Sequence, residues 1–194
     1  MTALPQVAYL GPIYSYSYLA SQEHFGKSTE FVPVNTIASV FEAMQSSIAT
    51  YGVVPLENST DGRIVDTLNI LATADIAISA EINYAIHHNL IANCKLSEIR
   101  KVYSKPQALS QCRGWIDANL PDVSVFGAAS SAEAAQIIAT ADNSSTHNDA
   151  AAIASTAAAE HFGVQVIAAS IQDITSNVTR FAVLGTDIQS PTGD

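Results

Sequence analysis

The chain has 194 residues, 48% of them hydrophobic and 13% charged, a balance that supplies a sizeable core and argues against a disordered chain. Eight Lys and Arg stand against 18 Asp and Glu, and the net charge of −10 argues against nucleic acid or an anionic membrane as partner. An anionic ligand must then be held by a few local cations and donors.

The opening MTALPQVAYLGP has no basic leader and no long apolar run, and no later stretch reaches the ~20 apolar residues of a membrane span. The expectation is a cytoplasmic protein. Residues 7–11 read as a short strand ending in Gly-Pro, and 15–25 as a helix capped by Ser15. Residues 30–34 form a second strand, which Pro33 assigns to an edge or a strand end. Ile37, Val40, Phe41, Met44 and Ile48 then follow helical spacing. A third apolar strand at 51–57 runs into the polar loop 58–62, and a helix follows over about 64–72. Alternation from 76 to 86 predicts a long strand with one buried face. After a link around 93–100 come a strand KVYS, a helix over 106–119, a strand at 123–126 and a helix over 130–141. Residues 142–149 read as a polar loop, 150–154 as a strand or strand–helix junction, and 155–162 as a helix stopped by Gly163. VQVIA, SIQDI and RFAVLG are extended, and 186–194 a frayed tail.

Such alternation predicts an α/β fold with mostly parallel sheet. We read it as two α/β lobes with an interlobe cleft: 1–78 plus 168–194 as the first lobe, 79–167 as the second.

Ligands of open α/β sheets collect at strand ends, and four polar clusters lie there. Ser15 and Ser17 open a helix after Gly-Pro, suiting either a plain cap or a carboxylate. Glu57, Asn58 and Ser59 close an apolar strand, as a site loop or an ordinary turn. SKPQALSQC and ASSAEAA set hydroxyl and amide side chains at helix starts, where capping and anion binding are compatible. Thr179 and Arg180 begin the last strand. An arginine there needs a carboxylate, which a substrate or an internal Asp or Glu would supply. Cys94 and Cys112 lack metal or redox spacing and read as free thiols, and His87 and His88 have no third ligand, so no metal is expected.

In this order the segments YLGP, GVVPLENSTDG, SKPQALSQC, SSAEAA, AAAIAS and N-x-TRF-x-VLG resemble those of prephenate dehydratases, over roughly residues 7–185. The resemblance implies two lobes like a type-II periplasmic binding protein, a homodimer, and prephenate as the small-molecule substrate. It assigns Thr179 and Arg180 to the catalytic pair, Phe181 to their apolar neighbour, and Glu57, Asn58 and Ser59 to the active-site loop. Gln107, Ala108, Ser130 and Ser131 match its helix starts. Three segments depart from it: Tyr14-Ser15 replaces the usual Gly-Thr, Lys105 a His, and Ser131 a Thr. Too few residues follow Phe181 for the family's ACT domain, so none is expected here.

The implied reaction expels carbon dioxide and hydroxide from prephenate to give phenylpyruvate, and aromatisation drives it without a cofactor. Arg180 would grip the pyruvyl carboxylate as a bidentate fork. Thr179 would hydrogen-bond the leaving hydroxyl. Glu57 would either store the proton or orient Asn58. Rival readings are an arogenate dehydratase, a prephenate decarboxylase, and a non-catalytic cytosolic sensor of a carboxylate or amino acid.

Overall fold

The structure, a computed structural model, describes residues 5–140 and 148–185. Most of the loop read at 142–149 and the tail at 186–194 lie outside the described residues. The chain divides into two units, residues 1–85 with 177–194, and residues 86–176.

The first unit follows the expected alternation: β1 (Gln6–Leu10), α1 (Tyr16–Phe25), β2 (Glu30–Val34), α2 (Ile37–Gln45), β3 (Tyr51–Asn58), β4 (Gly62–Arg63), α3 (Val65–Leu71) and β5 (Ala77–Ala85), with β11 (Val178–Gly185) returning at the end. Its sheet runs β2-β1-β3-β11-β5, with β4 paired to β3. β1 is parallel to β2 and β3, whereas β11 is antiparallel to β3 and β5. Pro33 sits in the edge strand β2, where its missing N–H costs no ladder bond.

Period-two alternation sorts this sheet's side chains onto two faces. Ala8, Val54, Leu56, Ala182 and Leu184 pack with Val40 and Phe41 of α2 and Ile70 and Leu71 of α3. Tyr9 and Tyr51 point the other way, against Tyr18 and Phe25 of α1. β5 was expected to bury one whole face, yet among its residues Ile82 alone is buried, because the strand closes the sheet edge.

The second unit contains β6 (Asn89–Ala92), β7 (Lys101–Ser104), α4 (Pro106–Gln111), α5 (Arg113–Asn119), β8 (Ser124–Gly127), α6 (Ser131–Ala139), β9 (Ala150–Ala154), α7 (Thr156–Phe162) and β10 (Gln165–Ala168), in sheet order β10-β6-β9-β7-β8. β7, β8 and β9 are parallel, so α4, α6 and α7 all start from the same sheet edge. β6 escapes a reading by periodicity because all four of its residues are buried. The helix expected over 106–119 breaks at Cys112. There the Asp173 carboxylate accepts from the N–H groups of Gly114 (2.9 Å) and Trp115 (3.1 Å) and caps α5 from a distant loop. That loop is the stretch SIQDI, which bends at Ser170 (φ 50°) instead of extending.

The divisions at 85/86 and 176/177 differ from those expected at 78/79 and 167/168. β5 pairs with β11 from Ala77–Gly185 to Ala85–Val178, which keeps residues 79–85 in the first unit. Residues 168–176 are tied to the second: the Ile171 N–H donates to the His88 carbonyl and that of Asp173 to the Gln111 carbonyl.

Candidate active site

At the carboxyl end of β3 the ladder with β11 contains a bulge. Arg180 faces Glu57 and Phe181 faces Pro55, which leaves Leu56 as the extra residue. Such a bulge re-aims the side chains that follow it. Leu56 stays on the α2/α3 face, Glu57 joins it there, and Asn58 turns to the α1 face beside Thr179.

Asn58 is buried and fully engaged. Its Oδ1 accepts from the Thr60 N–H (2.9 Å), the Thr60 hydroxyl (2.6 Å) and the Asp61 N–H (3.2 Å). Backbone N–H groups only donate, so Nδ2 must face the other way. It donates to Asn177 Oδ1 and to Thr179 Oγ1, both at 2.8 Å. Thr179 Oγ1 is therefore an acceptor toward Asn58, and its own hydrogen is directed away from it. Ser59 locks the loop: its N–H donates to the Val178 carbonyl and its Oγ accepts from the Val178 N–H, each at 2.9 Å.

Arg180, next in an extended strand, points to the opposite face. Its Nη2 lies 3.2 Å from Glu57 Oε2 and its Nη1 3.5 Å from Glu81 Oε2. The guanidinium expected as a fork for a substrate carboxylate lies between two internal carboxylates, and alternation directs it to the face opposite Thr179. Its Nε is buried without a hydrogen-bond partner among the described residues. Glu57, an ion-pair partner of Arg180, points to the same face and away from Thr179. Phe181 is 2% exposed, opposite Pro55 and Ile82, and belongs to the core.

Ser15 caps α1 as expected. Its hydroxyl donates to the Leu10 carbonyl (2.9 Å) and accepts from the Tyr18 N–H (3.3 Å). Two residues not singled out by the sequence reading join the Thr179 face. Asn177 is 2% exposed and lies two places before Thr179, a spacing that keeps both side chains on one face. Tyr84 is the register partner of Thr179 on β5, and its ring lies 6.2 Å from that of Tyr16 at the start of α1. Burial raises the Tyr84 phenol above its ordinary value.

The remaining expected residues lie in the second unit. Gln107 and Ala108 occupy the first turn of α4, which has Pro106 at its start and no side-chain cap. Ser130 caps α6 by accepting from the Glu133 N–H (3.0 Å), and Glu133 Oε2 accepts from the Ala129 N–H (2.6 Å). Ser131 Oγ is 3.4 Å from that of buried Ser104, whose hydroxyl donates to the Ile153 carbonyl (2.7 Å). His88 Nε2 is 2.7 Å from Gln111 Oε1, and no cluster of three metal-ligating side chains exists among the described residues.

The family model for prephenate dehydratase matches residues 7–189. The chain belongs to the prephenate dehydratase family. It is 39% identical to a bifunctional chorismate mutase/prephenate dehydratase of Stutzerimonas stutzeri over 97% of this chain and 51% of that protein. The chain thus spans about half the length of the first curated relatives it matches. Among solved structures it is similar to a prephenate dehydratase from Arthrobacter aurescens in complex with L-Phe: 26% identity, TM-score 0.86, covering 97% of this chain and 63% of that one. A methionine-bound nutrient binding protein from Burkholderia cenocepacia shares the fold, at 14% identity and TM-score 0.52 over 97% of this chain and 88% of that one.

The glycine that the resemblance implies before the α1 cap has a geometric reason in this chain. Tyr14 occupies that position with φ 63°, in the left-handed region where a side chain is strained. Its ring packs edge-on against Tyr18 at 5.3 Å, a contact that offsets part of the cost.

Proposed function

We propose that the chain catalyses the decarboxylative dehydration of prephenate to phenylpyruvate, carbon dioxide and water. The observation that carries this reading is the hydroxyl of Thr179, held as an acceptor by Asn58 so that its hydrogen is presented for donation. In prephenate the ring carboxylate leaves as carbon dioxide, its electron pair enters the ring, and the ring hydroxyl departs as water with one proton drawn from solvent. A threonine hydroxyl is too weak an acid to supply that proton outright. It serves as the donor that stabilises charge on the departing oxygen, a contribution of about 10²–10³ in rate.

The first N–H groups of α4 at Gln107 and Ala108, and the start of α6 at Ser130 and Ser131, suit a substrate carboxylate; Lys105 adds a cation beside α4. Arg180 and Glu57 then act as an internal ion pair that stiffens the β3–β11 bulge. Ser15 and Ser59 hold the neighbouring loops in place. The reading includes a cytoplasmic homodimer, the assembly that the family resemblance implies; sedimentation equilibrium measures it.

The test is phenylpyruvate formation by the pure protein from prephenate, with arogenate as a second substrate. Turnover of arogenate alone reassigns the substrate. Loss of carbon dioxide with the hydroxyl retained reassigns the reaction as a decarboxylation. Binding without turnover of either substrate leaves a sensor. Thr179→Val should lower kcat by ~10²–10³ with KM largely kept. An unchanged kcat removes the leaving-group role.

A further inference from the structure

We infer that Asn177 is a positioning residue for the dehydratase reaction, setting the direction of the Thr179 hydroxyl through Asn58. The inference rests on the proposed role of Thr179 and adds a residue to it.

Asn58 has two amide hydrogens, and both are spent inside the protein, one on Asn177 and one on Thr179. With its oxygen taking three donors as well, Asn58 has no hydrogen left for a substrate. It acts on the reaction only by what it does to Thr179. The three donors hold one end of its amide, and Asn177 Oδ1 holds the other. Asn58 is 7% and Asn177 2% exposed, so water is excluded from both. Removing the Asn177 oxygen leaves a buried N–H without its acceptor and lets water or an amide tilt satisfy it. Either change loosens the contact that keeps Thr179 Oγ1 an acceptor, and its hydrogen is then free to turn from the leaving oxygen.

Asn177→Ala, Asn177→Asp, Thr179→Val and the double variant Asn177→Ala/Thr179→Val are compared by steady-state kinetics with prephenate and by thermal melting. Asn177→Ala should lower kcat roughly 10- to 100-fold, as expected when a reacting group is misaligned, with KM within about threefold. On the Thr179→Val background the same change should alter kcat by less than about twofold, because the hydroxyl it positions is gone. Asn177→Asp keeps an acceptor oxygen facing Asn58 and should regain most of the kcat, even if its melting temperature falls below that of the alanine variant. A purely structural asparagine would instead make activity follow stability.

A wild-type kcat in Asn177→Ala, or an undiminished effect on the Thr179→Val background, overturns the inference. Should Asn177→Ala not fold, Asn177→Asp decides: a loss as deep as that of Thr179→Val overturns it. A wild-type protein without dehydratase turnover, or a fully active Thr179→Val, sinks the underlying reading instead. With both of those in order, an indifferent Asn177 sinks this inference alone.

Discussion

Arg180 lies between Glu57 and Glu81, with side chains 40, 43 and 46% exposed. Pairs this open to solvent are worth about 0.2–1 kcal/mol each. Arg180→Met should therefore destabilise the fold by no more than about 2 kcal/mol in urea titration, and leave KM for prephenate within about threefold. A tenfold or greater rise in KM would make the guanidinium a substrate ligand. The sequence made Thr179 and Arg180 look like one functional pair because they are neighbours in a motif. Neighbours in a strand face opposite ways, and the facing residues of another strand cannot be read from a motif. Cross-strand register pairs them differently: Asn58 beside Thr179, Glu57 beside Arg180. Asn177 belongs to the same motif, but nothing in the motif shows that its oxygen lies 2.8 Å from Asn58 Nδ2.

Among the elements, β3 carries the most consequence, because its end holds both Glu57 and Asn58. Gly52 seats this strand under α2: a Cβ there would lie 2.7 Å from Val40 Cγ1 and 2.8 Å from Met44 Sδ. Met44 can rotate away, but Val40 is β-branched and stiff. Gly52→Ala should thus cost about 1–3 kcal/mol of stability, measured by urea unfolding, as overpacked cores do. Four of the helices legible in advance carry caps at their starts. Ser15, Thr36, Ser130 and Ser155 each accept from the N–H three residues on, and the helices they open were expected. Two features without local signals were missed. β6 is too short and too buried to show alternation, and the break at Cys112 depends on Asp173, which arrives from across the second unit. The Leu56 bulge is likewise a property of two strands together.

For the whole molecule, the two-unit α/β organisation was legible because strands and helices alternate so regularly. The boundaries were less so, since β5 and the 168–176 segment are assigned by partners distant in sequence. Chemical stability has a pH signature of its own. Burial, and then the nearby Asp173 carboxylate, push the Cys112 thiol up from about 9 to about 12. Between those values the folded chain keeps a proton that the unfolded chain has lost. Stability should hold below pH 9 and fall as pH rises toward 12. Urea unfolding at pH 8 and pH 10.5 should show the drop, and Cys112→Ala should shrink it, leaving the share of the Tyr9 and Tyr84 phenols, which burial also holds above their ordinary values. A slope unaffected by that substitution would assign the loss to another group.

β11 is threaded between β3 and β5, yet more than ninety residues separate it from β5 in the chain. A ribosome making this protein therefore emits both borders of that gap, then the complete inserted unit, before the filler strand emerges. Until then β3 and β5 each expose a row of unpaired peptide groups, open to pairing with another nascent chain. Thr179 rides on that late-arriving strand, so the hydroxyl proposed for catalysis joins Asn58 only when the first sheet zips shut.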